Sequence, residues 1–193
     1  VGHNHRLHRS IIVDEIAERA QTDTFDCPFH FTKRNGERVL VEDGKLIPDP
    51  MFGIRYPDKS ARIFLPEDDC KTERMWSDKI DVESWQHKLE KHYAFIGKRQ
   101  PNGSKLYHKY FDPKVRLMSL FLFSDIGRMK AVMKMLYEMT EGRGSKFMLF
   151  QSWTDFGRIL RVPDTRPDLF DGLYYRVGYD PFNISLVDGG VKE

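Results

Sequence analysis

The sequence predicts an α/β fold: a mixed sheet flanked by helices, in the order helix, three strands, helix, strand, helix, strand. Three observations carry that prediction. Two short apolar runs, 51–56 and 61–65, are joined by Pro57-Asp58-Lys59-Ser60, which is turn chemistry, so they read as a hairpin. The run 115–123 is almost continuously apolar, as a central strand covered on both faces must be. Helical periodicity flanks that run on both sides, at 82–96 and at about 126–139.

From Ser10 the pattern is helical. Ile11, Ile12, Glu15, Ile16 and Arg19 put apolar residues on one stripe, with Ser10 as the cap. Before it lies a basic lead-in with Arg6, His8 and Arg9; the tripeptide His3-Asn4-His5 there has none of the ββα context a nuclease motif of that spelling needs. Cys27-Pro28-Phe29-His30 reads as a loop with aromatic anchors, since two candidate ligands without a second pair make a poor zinc site. Asn35-Gly36 marks a turn, 38–41 a short strand, and Asp43-Gly44 another turn into the hairpin.

After a polar stretch at 77–81, Trp85, Leu89, His92, Tyr93 and Ile96 recur at helical spacing, and Lys88 sits at the edge of that stripe. Residues 97–114 are basic, with Lys98, Arg99, Lys105, His108, Lys109 and Lys114 interleaved with Tyr107, Tyr110 and Phe111. Such a loop suits phosphate tracking and base stacking; a solvated hairpin insert is the other reading. Ser124-Asp125 caps the next helix, whose Met129, Val132, Met133, Leu136 and Met139 form a core stripe, and Gly142 and Gly144 end it. A short strand at 147–150 and a helical turn at 155–160 follow. The chain reads as one domain over 1–160, extended at 161–193 by an irregular tail with one strand at 173–177.

Composition bounds the function. The 193 residues are 40% hydrophobic and 31% charged, enough to build a core and against disorder. No run reaches membrane-span length and no leader is visible. Two cysteines, Cys27 and Cys70, suggest no disulfide framework, which makes a reducing cytoplasm the default setting. The chain starts at Val1 rather than Met, so a missing upstream segment is expected. A net charge of +2 leaves the choice of partner to where the charges lie. Neither a Gly-rich phosphate loop nor a Ser or Cys nucleophile with an evident base supports a small-molecule enzyme.

The hairpin supplies the candidate site. Asp49 precedes its first strand, and Glu67 and Asp69 follow its second, so the carboxylates gather at neighbouring strand ends. Such a group suits a hard cation, Mg²⁺ or Mn²⁺, held by one or two carboxylates with positions open to substrate phosphate. Lys88, on the following helix, would bring a positive charge to the same spot. A solvated turn of acids beside Lys71 is the bland alternative.

The element order, with Pro48-Asp49 opening one strand and Glu67 and Asp69 ending the next, resembles the PD-(D/E)XK restriction-endonuclease-like αβββαβ core. More closely, Pro48, Asp49, Glu67, Asp69, Thr72, Glu73, Lys88, Tyr93 and Arg128 resemble the replication-relaxation proteins of bacterial plasmids and mobile elements, over about residues 6–150. The resemblance implies a metal-dependent DNA endonuclease or nickase acting in replication or DNA relaxation. Asp49, Glu67 and Asp69 would hold the metal, with Glu15 as the extra acid some members supply. Lys88 would stand in for the usual strand lysine, whose place Asp69 takes here, and Thr72 and Glu73 would orient the acidic loop. DNA contacts would come from Lys98, Arg99, Lys105, Lys109 and Arg128. The resemblance also implies a winged-helix segment upstream; DNA is the expected partner, no membrane is, and a homodimer stays open. Because the strand lysine is absent, a non-catalytic DNA-binding or partner-binding replication accessory with a degenerate site is the rival reading.

Overall fold

The computed structural model describes residues 10–11, 24–49, 51–69, 71–153, 170 and 172–187. The strands are β1 (Ser10–Ile11), β2 (Phe25–Asp26), β3 (Phe29–Thr32), β4 (Arg38–Val41), β5 (Lys45–Leu46), β6 (Phe52–Arg55), β7 (Ala61–Asp69), β8 (Arg116–Phe123), β9 (Met148–Ser152), β10 (Leu173–Arg176) and β11 (Tyr179–Asn183). Among the described residues they are accompanied by two α-helices, α1 (Trp85–His92) and α2 (Ile126–Met139); a π-helical turn, Tyr93–Gly97, continues α1, and a 3₁₀ turn spans Leu106–Lys109.

The architecture is a mixed seven-stranded sheet in the order β1-β6-β7-β8-β9-β10-β11, with two small ribbons, β2-β5 and β3-β4, beside it. The hairpin β6-β7 is antiparallel and turns at 57–60, where Lys59 takes a left-handed φ of 68°. From β7 the chain crosses through α1 to the parallel β8, and from β8 through α2 to the parallel β9. Parallel neighbours require such crossovers, and they bury β8 in the middle: Leu120, Phe121 and Phe123 are fully buried.

Period-two alternation divides the core. Phe121 and Phe123 of β8 meet Trp85 and Leu89 of α1 and Met129, Val132, Met135 and Leu136 of α2, so both helices lie on one face. Met118, Leu120 and Leu122 face the other way, toward Ile54, Phe64, Tyr174 and Phe182. There the buried Arg62 is satisfied by the Tyr56 hydroxyl at 3.1 Å and the carbonyls of Leu186 and Val187.

The helix caps follow the local sequence. The Ser84 hydroxyl accepts from the His87 N–H, and the Asp125 carboxylate accepts from the Arg128 N–H at 2.8 Å. Helix α1 is enclosed on two sides, by the sheet and by the ribbon β3-β4. Its sheet side carries Trp85, Leu89 and His92, while Gln86 and Glu90 clamp the Thr32 peptide of β3: Gln86 donates to the Thr32 carbonyl, and the Thr32 N–H donates to Glu90 at 3.0 Å. Gly144, beyond α2, has φ +67°, and a Cβ there would sit 1.8 Å from the Val177 carbonyl oxygen, so only glycine lets the loop close on the β10-β11 turn.

Several expectations are corrected. Ser10 is not a helix cap: Ser10 and Ile11 pair antiparallel with Arg55 and Ile54, and the rest of that expected helix lies outside the described residues. The aromatic-anchored loop at 27–30 contributes to a ribbon, because the alternation of Phe29 and Phe31 buries one face of β3. The tail carries two strands where one is expected; Gly178, at φ 76°, turns β10 into β11, and β10 pairs with β9. The expected turn at 155–160 lies outside the described residues.

Candidate functional site

Strand β7 outruns its partner. It pairs with β6 only over 61–64 but stays parallel to β8 as far as Asp69, which carries Glu67, Asp68 and Asp69 beyond the end of the hairpin. The free edge is taken by Asp49, whose carboxylate accepts the Asp68 backbone N–H at 3.1 Å. A cleft of about 270 Å³ opens beside it, bordered by Asp49, Glu67, Glu73 and Lys88.

Lys88 comes from α1 and reaches the strand. Its Nζ lies 2.8 Å from Glu67 Oε2 and 2.7 Å from Glu73 Oε1, and 5.4 Å from the centroid of the Trp85 ring. Glu67 is 4% exposed, and its other oxygen, Oε1, lies 3.2 Å from His92 Nε2; His92 Nδ1 in turn meets the Ser119 hydroxyl of β8 at 2.7 Å. The chain Ser119–His92–Glu67–Lys88–Glu73 therefore spans two neighbouring strands, a helix and a loop.

The electrostatics differ from one acid to the next. Burial works to raise the Glu67 carboxyl, but His92 and Lys88 outweigh it and hold it below its ordinary value. Asp68 is pushed up to about 6 by burial and by the charges of Asp49 and Glu67, with only Lys88 acting against them. Lys88 is raised despite its own burial, because Glu67 and Glu73 both favour the ammonium.

The expected site residues separate into groups. Asp49, Glu67, Glu73 and Lys88 come together. Asp69 does not join them: it is fully buried, one oxygen accepting from the Trp85 indole N–H at 3.3 Å and the other from Arg128. It shares the face of Glu67 but is closed over by Trp85, so it is an internal anchor and not a ligand for an ion in the cleft. Arg128 is corrected with it. Its guanidinium turns inward to Asp69 and the Glu73 carbonyl, bracing the loop after β7 instead of facing DNA. Thr72 is exposed, and Glu15 lies outside the described residues.

The basic loop divides as well. Tyr107, Tyr110 and Phe111 turn into the core around Phe25 and Phe95, so they offer no stacking platform. Lys105 leans over the Tyr107 ring at 5.7 Å, while Lys98, Arg99 and Lys109 are exposed. Sequence reasoning misses Asp68 and His92. His92 stands four residues after Lys88 and seven after Trp85, a spacing that puts all three on one helical face.

The carboxylates are an all-oxygen donor set, which suits a hard divalent cation, and Lys45, Lys88 and Lys91 line the same cleft. Asp68 Oδ1 and Glu73 Oε2 are buried without a hydrogen-bond partner, and the crowding of Asp49, Glu67 and Asp68 leaves negative charge uncompensated. Among the described residues no three acidic, histidine or cysteine side chains stand in a ligating arrangement, so Asp49 with Glu67 or Asp68 would hold an ion after side-chain rotation, with water completing its shell. Among the described residues no helix is long and apolar enough to cross a membrane. Comparison of the chain with protein-family models, with curated proteins and with solved structures gives no match.

Proposed function

We propose that the cluster of Asp49, Glu67, Asp68 and Lys88 is the hydrolytic centre of a metal-dependent DNA endonuclease or nickase of the restriction-endonuclease-like class. The resemblance to replication-relaxation proteins gives it a role in the replication or relaxation of a plasmid or mobile element. One observation carries the reading: a lysine from the crossover helix meets the acid on the longer hairpin strand at 2.8 Å, beside the acid that opens the shorter one. That is the arrangement expected when the lysine of such a site moves from the strand to the following helix. The order hairpin, crossover helix and parallel strand agrees with it.

When bound, Mg²⁺ or Mn²⁺ supplies charge neutralisation at the scissile phosphate and acidifies a coordinated water. Asp49 and Glu67 would hold it, with Asp68 as the third oxygen donor. Lys88, fixed between Glu67 and Glu73, presents an ammonium that orients the attacking water or stabilises charge developing on the phosphate. Asp68, pushed up to about 6 by burial and the charges of Asp49 and Glu67, is mostly ionised at neutral pH and would be the acid most relieved by a bound cation. His92 keeps the Glu67 carboxylate turned toward Lys88 from behind.

A second reading has its own observation. Lys88 makes two ion pairs in a part-buried setting, which is also how a structural lysine looks, and this favours a DNA- or partner-binding accessory without cleavage. Supercoiled plasmid separates the two. With Mn²⁺ the protein should nick or linearise it, EDTA should stop the reaction, and Asp49→Ala should abolish it with an unchanged circular-dichroism spectrum. Binding without cleavage across several DNA forms would overturn the nuclease reading in favour of the accessory.

A further inference from the structure

The far side of α1 borders a second, larger cavity of about 940 Å³, at the upper end of the range that small-molecule sites occupy. It lies between α1, the ribbon β3-β4 and the C-terminal half of α2, and shares no lining residue with the carboxylate cleft. Three features of its wall point to a ligand.

The first is Glu90. It is 7% exposed, and Oε1 accepts the Thr32 N–H, but Oε2 is buried and makes no hydrogen bond. A buried carboxyl oxygen left without a hydrogen bond is costly. Burial raises the carboxyl to about 7, against the Thr32 N–H, Gln86 and Arg38. The second is a cationic rim. His30, Arg38 and Lys98 lie close enough together for Lys98 and Arg38 both to depress the imidazole, after burial. Among the described residues Arg38 and Lys98 have no carboxylate within ion-pair distance, unlike Lys33 and Arg143 on the same wall, which pair with Glu37 and Glu141. The third is an aromatic wall, Tyr93 and the part-exposed Trp76.

An inorganic anion would satisfy the rim and leave Glu90 without a donor. An apolar ligand would satisfy neither. The wall asks for a flat ring to lie on Trp76 and Tyr93, an N–H donor for Glu90, and an anionic group for the rim.

We infer that this cavity is a nucleotide site, in which Glu90 accepts the exocyclic amino group of the base while His30, Arg38 and Lys98 receive the phosphate. The same unit can arrive as a free nucleotide or as one nucleotide of a single strand. The site requires nothing of the carboxylate cluster, so its test is run in EDTA, where cleavage cannot intervene.

Isothermal titration with dGMP, dAMP, dCMP and dTMP, and with a single-stranded tetranucleotide, measures it. The amino-bearing nucleotides should bind more tightly than dTMP, and removal of the phosphate should weaken binding about tenfold or more. Glu90→Leu removes the acceptor at similar volume and should cost about tenfold, the scale of one hydrogen bond to a charged group. Arg38→Ala with Lys98→Ala, both on the exposed rim, should abolish the advantage of the phosphate, and this pair carries the test if Glu90→Leu does not fold. Saturation by mononucleotides identifies a free nucleotide as the source; binding of the tetranucleotide alone identifies a strand. No binding of either up to about 1 mM, or equal affinities in wild type and the rim variant, would overturn the inference.

Discussion

Lys88→Met is the most informative single change, because it tests packing and chemistry at the same atom. Methionine keeps an unbranched stem beside the Trp85 ring and removes only the ammonium. Glu67 would then stay buried at 4% exposure, with the His92 imidazole as its remaining side-chain partner. Breaking a buried ion pair from one side costs about 3–5 kcal/mol, since the charge left behind is uncompensated. The Lys88 side chain retains 14% exposure and His92 still meets the Glu67 carboxylate at 3.2 Å, so the low end, about 3 kcal/mol, applies. At this chain length that is a fall in Tm of about 6–12 °C. Glu67→Gln in the same background removes the more buried of the two stranded charges, Glu73 being the more exposed, and should restore most of the loss. Calorimetry or guanidinium melts of the wild type, the single and the double variant at pH 7 give the comparison. Cleavage of supercoiled plasmid by the same proteins separates the functional readings: a nuclease loses about two to three orders of magnitude with Lys88→Met and does not recover in the double variant. A cost below about 1 kcal/mol, or a double variant no more stable than the single one, would refute the buried pair itself.

Asp68→Asn should stabilise the protein at neutral pH and not in acid. The folded carboxyl titrates near 6 against an ordinary 3.8, so the folded state binds the extra proton between those values and the wild type loses stability as pH rises through them. Discounted for partial exposure, the gain at pH 7.5 should be about 1–2 kcal/mol, vanishing below about pH 4 in melts across that range. Mn²⁺ or Mg²⁺ should raise the wild-type Tm at pH 7.5, by about 2–3 kcal/mol of stability at a hundredfold excess over Kd, and Asp49→Asn should flatten the response; equal shifts in both proteins would place the ion elsewhere. Neutralising Lys105 and Lys109 should flatten the salt dependence of DNA binding by about 0.7–0.9 log units per lost contact, with Lys109, the more exposed, giving the larger part; an unchanged slope would make the loop a solvated insert.

The hairpin, the central strand and the two helices were legible because each announces itself locally, by turn residues, by a continuous apolar run, and by periodicity, with Asp125 as cap of the second helix; periodicity alone misses the Ser84 cap, which starts the first at Trp85 and not at Val82. The site was legible in part. Alternation along β7 places Glu67 and Asp69 on one face, but sequence contains nothing of Arg128, 59 residues on, which draws Asp69 into the interior. Asp68 belongs to the opposite phase of the strand, and it enters the cluster only because β6 stops at Phe52 and frees the edge that Asp49 then occupies. The basic aromatic loop misled for a related reason: Tyr107, Tyr110 and Phe111 are core residues for a ribbon anchored by Phe25, some 80 residues upstream, whose strands of two to four residues fall below what periodicity detects.

Helix α1 is eight residues long, and it is a shared wall. Lys88 and Glu90, two positions apart, project from opposite sides of it, one into the carboxylate cleft and the other into the larger cavity. The same eight residues carry the Lys88 ion pairs on one side and the Glu90 clamp on the Thr32 peptide on the other, so a substitution that shifts the helix disturbs both walls at once.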